Sequence, residues 1–204
     1  MLNLDNMWQR VSELIAETSN SHLLPSKAMG AFIDFCRYAV PEEEALWDDI
    51  SILEFDKECL ALTTWLEGVL STSPIPDEVT GLWFGLYNTE VDDKESCQFY
   101  CAGSTRFTVA EPNADWHCNP EYRPDLGYGH SDILHTISQK VDVLPGEPSY
   151  LGECFLCHGY LASLISTWCS GELKEALLGN NSNRAIAMGH DSGDMYFIHQ
   201  PVVN

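Results

Sequence analysis

Cys154-Phe-Leu-Cys157-His158 sets two thiols and an imidazole within one helical turn, the spelling of a covalent haem attachment site. Haem attachment normally follows export, however, and Met1–Arg10 carries acid before base with no apolar run of signal-peptide length. The same three residues are half of a zinc site, which closes only with a fourth ligand. Cys97 and Cys101 cannot lend it as a pair, since on a strand they would stand about 13 Å apart at roughly 3.3 Å per residue. His117 and Cys118, adjacent in a loop, stay open as ligands. The reading that the residues favour is plainer: Cys154 and Cys157 fall on the apolar stripe of a helix, where a free thiol packs as a small hydrophobe. No cofactor and no metal are expected. If a metal is bound, Cys154, Cys157 and His158 hold it.

Other groups that could do chemistry are weaker. A thiol nucleophile needs His beside it and a third group to orient that His. Cys118 next to His117 is the one thiol expected off an apolar stripe or strand, and an ordinary loop thiol explains it as well. His130 and His135 straddle a helix start and share no face. Gly189-His-Asp-Ser-Gly-Asp194 gathers Ser, His and Asp, but triads assemble from residues distant in sequence, and Asp-Ser-Gly is turn chemistry. No phosphate-cradling Gly loop, His-Glu-x-x-His pair or nucleophile elbow occurs.

The elements that must position these groups are legible from periodicity. Leu4, Met7, Trp8, Val11, Leu14 and Ile15 form one helical stripe, and Met29, Phe32, Ile33, Cys36 and Val40 a second after Pro25. Pro41 followed by Glu42, Glu43 and Glu44 predicts a third helix start, and Cys59, Leu62, Leu66, Val69 and Leu70 a fourth helix ending before Pro74. Then the period changes. Gly81–Asn88 is apolar on both faces, as a central strand is, and Cys97–Cys101 follows an acidic loop. Phe107 and Val109 alternate with Arg106 and Thr108, which predicts a half-buried strand. Residues 111–130 read as a long irregular stretch. Ser131 caps a helix carrying Ile133, Leu134, Ile137 and Val141. A longer helix holds Cys154, Cys157, Leu161, Leu164, Ile165 and Trp168, a short one runs from Ser170 to Leu178, and a hairpin pairs Ala185–Met188 with Met195–Ile198. The fold class is α+β, with a mostly antiparallel sheet of about five strands covered by amphipathic helices. One domain spans 1–204, helical over 1–72 and α+β over 73–204.

Composition narrows the classes of function. Forty-five per cent of the 204 residues are apolar, including six Trp, eight Tyr and eight Phe, enough for a core without disulfide or metal staples. No uninterrupted apolar run reaches membrane-spanning length. Eight Cys are too sparse for a disulfide scaffold and read as reduced thiols of a cytoplasmic protein. The sequon Asn180-Asn181-Ser182 then has no meaning as a glycosylation site. The net charge is −21, with 19 acids and 5 bases in residues 1–102 alone. Such a field repels nucleic acid and anionic membrane and speeds encounter with basic partners.

Three stretches, Gly81-Leu-Trp-Phe-Gly-Leu-Tyr-Asn88 with Phe99–Ser104, Asp115-Trp-His-Cys-Asn-Pro120, and Ala187–Phe197, together resemble acidic bacterial proteins of the toxin-immunity type. The resemblance covers a third of the chain and implies a non-enzymatic binder whose partner is a basic protein, a cognate toxin. Nuclease-type toxins are often basic because they grip phosphate, which an acidic inhibitor meets quickly. Aromatics set among acids would be its anchors. The sequence offers Glu42, Glu43, Glu44, Trp47, Asp48 and Asp49 as one such patch, and Asp92 and Asp93 with Trp116 as another. Two further classes stay open: a small enzyme with a Cys/His thiol or zinc site, and an oligomer subunit with no separate ligand.

Overall fold

The computed structural model describes residues 4–112, 114–179, 183–191 and 193–201. The Asn180-Asn181-Ser182 sequon, Ser192 and the side chain of Leu4 lie outside the described residues.

Gly81–Asn88 belongs to strand β1 (Gly81–Val91), the middle strand of a five-stranded sheet among the described residues, in the order β3-β2-β1-β4-β5. Its first six residues are buried on both faces, as a central strand requires. β2 (Lys94–Ser104) returns antiparallel to β1 through a two-residue turn. That turn is Asp92-Asp93, both with left-handed φ of 52° and 59°, which pins Val91 opposite Lys94 and Gly85 opposite Tyr100. β4 (Ala185–His190) lies parallel to β1 on the other side, with Gly85 opposite Gly189, and pairs antiparallel with β5 (Tyr196–His199). β3 is short (Tyr128–Gly129) and places Tyr128 opposite Tyr100. The sheet is therefore mixed and mostly antiparallel, and the architecture is α+β.

Helices α1 (Leu4–Ser21), α2 (Pro25–Ala39), α3 (Glu44–Ser51) and α4 (Phe55–Thr72) occupy the stretches that the apolar periodicity marks. Met7, Val11, Leu14 and Ile15 of α1, and Met29, Phe32, Ile33 and Cys36 of α2, are buried. Pro41–Glu43 forms a single 3-10 turn before α3. α5 (Asp132–Ile137) starts where expected: the Ser131 hydroxyl accepts from Leu134 N at 3.0 Å. The Glu58 carboxylate fixes the same helix end, accepting from Ser131 Oγ, Ile133 N and the Tyr160 hydroxyl.

α6 (His158–Ser170) is more deeply enclosed than an amphipathic stripe implies. Every side chain from His158 to Ser166, with Trp168, is buried, because α1 and α2 pack on it from one side and the sheet elements from the other. Cys154 and Cys157 precede it in a π-helical segment (Gly152–Cys157) rather than in an α-turn. α7 (Lys174–Leu178) leads to Arg184, whose buried guanidinium donates to the carbonyls of Pro76, Val79, Ala176 and Leu177.

The helices cover one face of the sheet, where Leu82, Phe84, Leu86, Phe99, Ile186 and Met188 join the main core. A different cover lies on the other face. Trp83, Ala185 and Ala187 pack there under Phe107 and Trp116 of the irregular segment 105–127. The alternation at 106–109 is thus not a strand. Phe107 turns inward to meet Trp116 edge-on at 5.5 Å, while Val109 is left 44% exposed.

Candidate functional site

The alternation of β1 and its neighbours puts Trp83, Gly85 and Tyr87, then Tyr100 and Ala102, then Tyr128, on the face that the 105–127 segment covers. The cover is partial. Over Trp83 it is complete: the His117 ring stacks on the indole at 4.4 Å. Beyond Trp83 it stops, and a cleft of about 460 Å³ opens between the loop and the strands. Tyr87, Tyr100 and Tyr128 make one wall, His117, Cys118, Pro120, Arg123 and Pro124 the other, and Asp191 closes one end.

Two glycines shape this wall. A Cβ on Gly85 would sit 2.5 Å from Tyr100 Cζ and 2.6 Å from Trp83 Nε1, so only glycine lets both rings lie flat across the strand. A Cβ on Gly189 would run into the Asp194 backbone carbonyl oxygen, and would also meet Trp83 Cη2 at 2.8 Å. The rings so placed form a hydrogen-bonded chain: Trp83 Nε1 donates to the Tyr100 hydroxyl at 3.1 Å, which donates to Asp191 Oδ1 at 2.7 Å. Asp191 is held from the other side by its own N–H, which donates to Leu86 O. Burial, with the Asp191 carboxylate accepting its proton, drives the Tyr100 hydroxyl pKa far up, so it stays a donor. The three tyrosine rings touch one another, with centroids 5.4 to 6.1 Å apart, and Tyr128 is 68% exposed.

His117 is the cleft's one imidazole. Burial pushes its pKa down against the opposing pull of Asp115 and Asp191, which favours the neutral ring. Cys118 Sγ lies 3.8 Å from His117 Nε2, and His117 Nδ1 is buried with no hydrogen-bond partner among the described residues. Among the described residues no third side chain orients that ring by a hydrogen bond, as the relay of a thiol nucleophile would. Burial raises the pKa of Cys36, Cys59, Cys101, Cys154, Cys157 and Cys169, and all eight cysteines are free.

The residues that the sequence singles out do not converge. Trp47 is fully buried, with Nε1 donating to Val40 O at 2.8 Å, and so cannot anchor a partner. Trp116 is 2% exposed: it sits over Gly81 against Phe107 and donates to Pro112 O. Both indoles found a carbonyl inside the fold, which removes them from the surface. Glu42 and Glu44 are exposed and Glu43 half-buried, while Asp48 pairs with Arg37 and Asp49 with Lys140. Asp92 and Asp93 form the exposed hairpin tip, at the opposite end of β1 from Gly81, over which Trp116 sits.

Cys154, Cys157 and His158 are not brought together as a ligand set: among the described residues no three His, Cys, Asp or Glu side chains are arranged to hold an ion. His158 is buried in the core, its Nδ1 donating to Glu153 O at 2.8 Å and its ring edge-on to Tyr196, while its buried Nε2 has no hydrogen-bond partner among the described residues. Asn88, Asp142 and Glu153 instead line a second, smaller cavity of about 300 Å³. His190 Nε2 lies beside it, 3.2 Å from Glu153 Oε1.

The tyrosine cleft escapes a reading of the sequence because its three rings come from three strands. One signal was available: a two-residue turn at Asp92-Asp93 fixes Tyr87 and Tyr100 on one face. Comparison of this chain with family models, curated proteins and solved structures found no match. No helix of the described residues is long and apolar enough to cross a membrane.

Proposed function

We propose that this is a non-enzymatic, acidic binding protein of the cytoplasm that holds a basic protein partner in a stoichiometric complex. The observation that carries the reading is the composition of the open cleft. The cleft gathers three contiguous tyrosines and an arginine, residue types that dominate binding energy at protein interfaces, beside the Asp191 carboxylate. They sit in a protein of net charge −21, whose field steers cations towards it. Binding is favoured over thiol chemistry because no third side chain among the described residues orients His117 beside Cys118. An immunity-type role, with a toxin as the partner, is the form of this reading that the sequence resemblance suggests.

The test is capture at low salt by the tagged protein from its native cell, run beside the Tyr87→Ala, Tyr128→Ala double variant. One basic protein at near-equal stoichiometry, released by moderate salt and lost in the variant, is expected. A partner retained equally by both proteins would reject the cleft as its seat.

A further inference from the structure

We infer that the cleft is a receptor for a guanidinium group, an arginine side chain presented by the basic partner. This deepens the binding reading and rests on it.

Asp191 is the feature that points to a cation. The chain from Trp83 through the Tyr100 hydroxyl holds its Oδ1, and the hold on its backbone comes from Leu86 O. Its second oxygen has no hydrogen-bond or ion-pair partner among the described residues. A carboxylate fixed in this way is pre-organised, so a ligand need not supply the cost of orienting it. Its neighbours are aromatic faces, and Tyr100 and Tyr128 lie at 38° with centroids 5.7 Å apart. A planar guanidinium can stack on such a face while donating edge-on to a carboxylate, which the compact ammonium of lysine does less well.

The other charges around the cleft fit this assignment. Arg123, on the opposite wall, makes no ion pair with Asp191 among the described residues, and Pro120 O holds its Nε at 3.2 Å. Its remaining N–H groups suit the main-chain carbonyl that flanks any peptide arginine. Burial pushes the His117 ring towards its neutral form, opposed by the acids Asp115 and Asp191 and aided by Arg106. The anion at the closed end therefore lies among aromatic faces, with Arg123 as the cation on the opposite wall, and the overall charge of the chain is −21.

The probes are N-acetyl-arginine amide and its uncharged isostere N-acetyl-citrulline amide, titrated at low salt into the isotope-labelled full chain and followed by NMR. The arginine probe should move the signals of Tyr87, Tyr100, Tyr128 and Asp191 with an affinity on the order of millimolar. The citrulline probe should leave them in place. Asp191→Asn, which keeps the shape, should weaken the arginine probe about ten-fold or more. Tyr100→Phe, which frees the carboxylate without removing it, should weaken it less. Equal binding of both probes, an Asp191→Asn effect under about two-fold, or shifts confined to other surfaces would each overturn the inference. Partner capture by the wild-type chain alongside such a failure would leave the binding function standing and remove only the arginine assignment.

Discussion

Tyr100 and Asp191, ninety-one residues apart in sequence, are joined by a 2.7 Å hydrogen bond across the face of the sheet. That bond exists because Gly85 leaves room for the tyrosine ring. Gly85→Ala should displace Tyr100 and Trp83 together and cost about 1–3 kcal/mol. Denaturant unfolding would measure the loss, and the Trp83 indole N–H resonance should move with it. An unchanged midpoint would mean that the rings can slide aside without penalty.

Tyr128 is the most exposed of the three rings, so its removal separates binding from folding. Tyr128→Ala should change stability by no more than about 0.5 kcal/mol, as surface positions usually do. Partner affinity, measured by calorimetry, should drop by about 2 kcal/mol if the ring is an interface anchor. A large melting shift would instead make it part of the core.

Asp142 gives the fold a pH dependence whose sign can be worked out. Burial, opposed by the Glu153 N–H and reinforced by the Glu153 carboxylate, raises its pKa from 3.8 to about 7. The folded chain then binds this proton more tightly than the unfolded chain does. Stability contributed here is full below the unfolded pKa, falls as pH rises towards 7, and stays lost above it. Asp142→Asn should flatten that decline and raise stability at pH 8 by roughly 2–4 kcal/mol. Unfolding curves of both proteins across that window decide it, and parallel slopes would show that Asp142 titrates as an ordinary carboxylate.

The hairpin tip carries Asp93 at the position where such a turn prefers glycine. Asp92 and Asp93 both take left-handed backbone and carry like charges side by side. The double change Asp92→Asn, Asp93→Gly supplies the preferred pair for such a turn and should stabilise the chain by about 1 kcal/mol. If partner binding also weakens, the acids serve the interface after all, at the expense of the turn.

Glu58 ties three elements through one carboxylate: α4, the start of α5, and Tyr160 of α6. Glu58→Ala leaves a buried tyrosine hydroxyl and a capped helix end unsatisfied, and should cost about 2–4 kcal/mol. Thermal melting would read this directly, and a cost within experimental error would show that water replaces the carboxylate.

Local signals carried the fold further than the site. The run at Gly81–Asn88, the Ser131 cap and the 185–198 hairpin each declare themselves within a few residues, because periodicity and turn chemistry are local. Trp47 and Trp116 misled because an indole among acids has the same spelling whether it faces water or a carbonyl. What decides is Val40 O in one case and Pro112 O in the other. The Phe107–Val109 alternation misled for a related reason: two apolar residues need one buried contact, and only Phe107 had one. The cleft depends on register between strands and on how far one loop reaches, and neither is written in any single segment.

The parallel pairing of β1 with β4 sets Gly81 opposite Ala185, with about half of the chain between them. During synthesis, β1 and β2 emerge early as a hairpin, and the apolar edge of β1 then waits for its second neighbour. Until residues 185–190 have left the ribosome, that edge is an open template for another strand. Folding of this protein is therefore gated by a late, long-range closure, slow for its size. The nascent chain is the form most exposed to aggregation and most in need of a chaperone.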